Sequence, residues 1–118
     1  VAALRKLMEE TVPLVSEGRF VDIDVYTRHN EAFHNAIIGL ADNPTVSDAY
    51  HRLGVAGLMV SLLKQGAEAG QEVIDDHCAI VEAFERRSLD DAMRVIARHN
   101  ENAKKTIRRA IVAAGGQL

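Results

Sequence analysis

The stretch DIDVYTRHNEAFHNAIIGLADNP, residues 22–44, decides how the chain folds. Ile23, Tyr26, Phe33, Ile37 and Ala41 recur at steps of three, seven and four residues, so at about 100° per residue they fall in one stripe. Asn30 and His34 sit inside that stripe, one turn apart. Asp42-Asn43-Pro44 then stops the pattern, because proline disfavours helix in the residue before it. The spacing predicts an amphipathic helix over residues 22–41 whose buried face carries polar nitrogen donors.

Working outward, the same periodicity recurs on both sides. A helix is expected over residues 2–17, with Leu4, Leu7, Met8 and Val15 on one side, a kink at Pro13 and a stop at Gly18. A third helix is expected over residues 45–65. It is apolar on two faces (Val46, Ala49, Leu53 and Val60; Val55, Leu58 and Leu62), as in a helix enclosed by its neighbours. Gly66 and Gly70 bracket a short connection to a fourth helix over residues 71–87. A fifth runs over residues 89–114, with Ser88 and Asp91 as its capping box and Gly115-Gly116 at its end. No segment alternates as a strand does. The expected fold is an all-α antiparallel bundle of five or six helices, forming one domain over residues 1–118.

Bulk properties agree with a globular domain. Of the 118 residues 47% are hydrophobic and 26% charged, and the net charge of −3 does not favour a polyanionic partner. The single cysteine cannot form an intramolecular disulfide, and no signal peptide or membrane span is recognisable, which points to the cytoplasm. The chain opens at Val1, inside a helical pattern and without methionine, and so reads as an N-terminally truncated piece of a longer protein.

The chemistry lies in the histidines. On the fourth helix Ile74, Cys78, Val81 and Phe84 form the apolar stripe, with His77 among them. On the fifth, Leu89, Ala92, Ile96, Ala103, Ile107 and Ala110 line up, with His99 at the edge of the row. His77 and His99 are equidistant from the turn at Ser88, and such residues of an antiparallel hairpin stand at the same height. With the second helix alongside, His34 and Asn30 complete the cluster. A lone buried histidine is usually a hydrogen-bonded core residue. Three together need three separate hydrogen-bonding solutions, or one divalent ion, with zinc and nickel favoured by imidazole.

Asn30-Glu31-Ala32-Phe33-His34, then Asn43-Pro44, then His77-Cys78-Ala79-Ile80-Val81-Glu82-Ala83, then His99 occur in order. The series resembles the FCD ligand-binding domain of the FadR-type branch of GntR regulators, over nearly the whole chain. The resemblance implies metal ligands at His34, His77 and His99. It also implies a homodimeric transcription regulator that meets DNA through a winged helix-turn-helix absent from this chain. Where that family has an aspartate as first ligand this sequence has Asn30, so Asn30 is expected to be a weak or indirect ligand.

The expected role is effector sensing. A small carboxylate would fill the positions that the three imidazoles leave open, with Arg52 or Tyr26 orienting its far end. Two other readings compete: a hydrolytic enzyme with a three-histidine metal, and a metal-free structural bundle. Glu31, Asp75, Asp76 and Glu82 all project off the apolar stripes, which leaves no carboxylate to act as general base and argues against the enzyme. Cys78 reads as a small apolar filler and His29 as a boundary residue. The basic residues Arg94, Arg98, Lys105, Arg108 and Arg109 alternate with acids and read as a solvated face.

Overall fold

In the computed structural model, residues 1–64, 70–113 and 115–116 are described; the expected helix ends at Gln65 and Ala114, and Gly66, lie outside them. The described residues form six α-helices: α1 (Ala2–Thr11), α2 (Ile23–Gly39), α3 (Pro44–Arg52), α4 (Val55–Lys64), α5 (Gln71–Glu85) and α6 (Leu89–Ala113). A two-stranded hairpin, β1 (Val15–Ser16) and β2 (Arg19–Phe20), joins α1 to α2. No helix among the described residues is long and apolar enough to cross a membrane.

The caps are local and chemical. Asp22 accepts a hydrogen bond from the Val25 amide at 2.9 Å and starts α2. Asn43 accepts from Thr45 and Val46 at 3.0 and 3.3 Å, and Pro44 takes the first position of α3, where no amide hydrogen is needed. The Ser88 hydroxyl accepts from the Asp91 amide at the start of α6. Beyond Ala113, Gly115 and Gly116 adopt φ of 70° and 82°, and their amides bond back to Val112 and Ile111.

Two expectations about helix extent are corrected. The first helix stops at Thr11 rather than bending at Pro13: residues 12–14 tighten into a 3-10 turn, and the chain then reverses. Glu17 and Gly18 both have positive φ, 51° and 73°, the pairing a two-residue hairpin turn requires. The expected third helix breaks at Leu53-Gly54, where Gly54 has φ 63°. The break leaves Val60 in α4 with the second face, and only part of the apolar surface is enclosed: Leu62 is buried. Leu53 is 74% exposed, Val46 and Leu58 are exposed too, and α3 has no buried residue.

α5 and α6 form an antiparallel hairpin, and α1 packs against α2 and α5. One core cluster comprises Leu4, Met8, Phe33, Ile80 and Val81; a second comprises Val15, Tyr26, Leu63 and Ile74. The half-buried Cys78 packs against both. Leu89, expected in the buried row of α6, is exposed because it lies at the helix start, beyond the overlap with α5.

Candidate metal centre

Three helices each contribute one imidazole to a single point: His34 from α2, His77 from α5 and His99 from α6. Ring centroids are 5.4 Å apart for His34 and His77, 5.2 Å for His34 and His99, and 4.9 Å for His77 and His99. One nitrogen from each ring lies within 4.8 Å of the other two. The hairpin explains the pairing of His77 with His99, since both are equally far from the turn that joins α5 and α6. Phe33 anchors the third member: it is fully buried, nearly perpendicular to the His34 ring and stacked on His77.

The rings differ in surroundings. His77 is 1% exposed, and neither of its nitrogens has a hydrogen-bond partner among the described residues. Leaving a buried polar atom unpaired costs about 1–3 kcal/mol, so this ring calls for a ligand. Burial, with the neighbouring His34 and His99 as lesser causes, pulls its pKa down to about 2. Burial likewise pulls half-buried His34 down to about 4, His99 adding to the effect. His99 is lowered by burial against the opposing pull of Asp76. At neutral pH all three are therefore neutral and offer lone pairs, the state in which imidazole binds metal. Three such donors suit a divalent transition ion.

Asp76 departs from the sequence expectation. Its spacing puts it off the apolar stripe, yet it is 3% exposed, beside the cluster. Arg98 donates to its Oδ1 at 2.7 Å, Asn102 donates to Oδ2 at 3.1 Å, and His99 Nδ1 lies 3.7 Å from Oδ2. Arg98 is thus no purely solvated residue. Helical periodicity marks acids as outward-facing and cannot see a charge whose partners lie on another helix. The level rule holds the missing signal, because Arg98 and Asn102 flank the height of Asp76 one turn apart.

A cavity of about 340 Å³ opens beside His34 and His99. Asn30 and Tyr26 line it, and burial drives the Tyr26 hydroxyl up to about 12, so it stays protonated. Val55, Met59, Val60 and Leu63 of α4 give an apolar wall; Asn100, Asn102 and Thr106 of α6 give a polar one. Arg52 is exposed and outside the lining, since the break at Gly54 ends α3 just beyond it; Tyr50 faces the cavity instead. Glu31 and Arg109, both read from the sequence as solvent-facing, also line it. His29 is a boundary residue, 3.6 Å from Glu10.

The model of the FCD domain family matches residues 1–102. No significant match was found among curated proteins or among solved structures. The predominantly helical architecture accords with the family match, which spans the helix segments bearing all three histidines. The chain therefore belongs to the FCD domain family, the effector-binding module of GntR-type transcription regulators.

Proposed function

We propose that this domain senses a small organic acid at a divalent metal ion, zinc or nickel, held by His34, His77 and His99. The observation that carries the reading is the convergence of three neutral imidazoles around His77, whose two nitrogens are buried and unpartnered. When bound, the ion supplies positive charge and vacant coordination positions for a carboxylate. Asn30, on the cavity wall one turn from His34, is a weak or indirect ligand that adds no charge.

The cavity residues fit an acid with polar substituents on one side. Asn100, Asn102 and Thr106 offer hydrogen bonds from α6, Tyr26 a protonated hydroxyl, and the α4 residues an apolar surface. Arg109 is the cavity's own cation and takes the orienting role otherwise assigned to Arg52. Binding alters the packing of α2, α4 and α6, and an attached winged helix-turn-helix reads that change in a homodimer on DNA. Hydrolysis is the less favoured reading, because the nearest buried carboxylate, Asp76, is already engaged by Arg98 and Asn102.

The experiment is elemental analysis of purified protein with calorimetric zinc and nickel titration. One ion per chain is expected, lost in the triple alanine variant of His34, His77 and His99. Full metal content in that variant would remove the site.

A further inference from the structure

Asp76 is a buried acid on α5, and its side-chain partners Arg98, His99 and Asn102 all come from α6. A carboxylate held out of water needs partners for both oxygens. Oδ1 is taken by Arg98 at 2.7 Å and Oδ2 by Asn102 at 3.1 Å, so the group cannot swing freely. The third neighbour of this fixed anion is the back of the His99 ring: Nδ1 lies 3.7 Å from Oδ2. A carboxylate there favours a proton on Nδ1. The lone pair then falls to Nε2, on the other side of the ring, while His34 and His77 stand 5.2 and 4.9 Å away between centroids.

We propose that Asp76 is a positioning residue that holds His99 as its Nδ1–H tautomer, leaving Nε2 as the lone-pair donor to the site shared with His34 and His77. It works as the outer carboxylate does behind many metal-binding imidazoles, fixing both tautomer and ring orientation. Arg98 and Asn102 keep the carboxylate aimed. Asn102 also lines the cavity, so a ligand there touches the same network that sets His99. The role matters through the proposed metal site, but the tautomer is a property of the metal-free protein and is testable without it.

The test is a long-range proton–nitrogen NMR spectrum of the histidine rings in chelator-treated protein at pH 7.5, for wild type, Asp76→Asn and Asp76→Glu. Wild type should show His99 protonated on Nδ1, Asp76→Asn should move the proton toward Nε2, and Asp76→Glu should restore it. An Nε2–H tautomer of His99 in wild type overturns the proposal, even if no variant folds. An unchanged Nδ1–H signal in folded Asp76→Asn overturns it too. Zinc titration of the same samples should show roughly 10- to 100-fold weaker binding in Asp76→Asn. If wild type itself binds no metal, the metal reading fails while the tautomer result still decides the role of Asp76.

Discussion

The imidazole of His77 lies nearly parallel to the ring of Phe33, with centroids 4.2 Å apart and planes inclined by 23°. A ring stacked on phenylalanine in a dry interior behaves as an aromatic filler, except that its two nitrogens have no partner among the described residues. The cluster thus holds two buried, unpaired nitrogens at one of its three rings.

His77→Leu should separate the two roles. It removes the unpaired nitrogens, worth about 1–3 kcal/mol, and keeps most of the apolar volume. Melting in chelator is expected at the wild-type temperature or a few degrees above it. The stabilisation that zinc gives wild type should vanish. A variant destabilised in chelator yet still shifted by zinc would show that the ring is structural.

Acid should weaken the metal-free domain. His34 and His77 titrate near 4 and 2 in the fold, against about 6.5 in an unfolded chain. Between those values the unfolded chain binds more protons, so the stability is complete above pH 6.5 and is lost as pH falls through 6.5 toward 4 and below. Linkage gives about 2 kcal/mol per ring between pH 7 and pH 5. Urea midpoints in chelator at the two pH values measure it, and His77→Leu should flatten the slope by about half. A flat wild-type profile would contradict the depressed values.

Asn30→Asp adds a carboxylate to the cavity wall one turn from His34. Zinc should bind about tenfold more tightly, equivalent to about 1.4 kcal/mol. Unchanged binding in a calorimetric titration would assign Asn30 to effector contact instead.

Organic acids and metal should stabilise each other. By linkage the acid raises metal affinity by the factor that metal raises acid affinity. Thermal shifts with a panel of small acids should be larger for metal-loaded than for stripped protein. Equal shifts would separate the cavity from the metal.

Gly54→Ala has a sign that depends on the break between α3 and α4. In a continuous exposed helix the change would stabilise by about 1 kcal/mol. At φ 63° it should destabilise by about 1 kcal/mol, read as a lower melting temperature.

Where one helix met its own period, the sequence was readable. The stripe through Tyr26 and Phe33 placed His34, and the symmetry of the α5–α6 hairpin placed His77 level with His99, because both depend only on repeat geometry. Asp76 was not readable that way, since its burial follows from Arg98 and Asn102 on the facing helix. The break at Leu53-Gly54 escaped for a related reason: a run apolar on two faces looks the same whether it is one enclosed helix or two half-exposed ones. Gly18 marks a helix stop in the sequence, yet with Glu17 also at positive φ the pair makes a hairpin turn.

The three imidazoles come from α2, α5 and α6, so the ligand atoms assemble only when segments remote in sequence are docked. An ion held there acts as a removable cross-link: it closes long loops that the unfolded chain leaves open, and its binding free energy adds to that of folding. Metal content would then report tertiary order itself. A collapsed state with its helices intact but its packing loosened would retain its helical spectrum and release the ion.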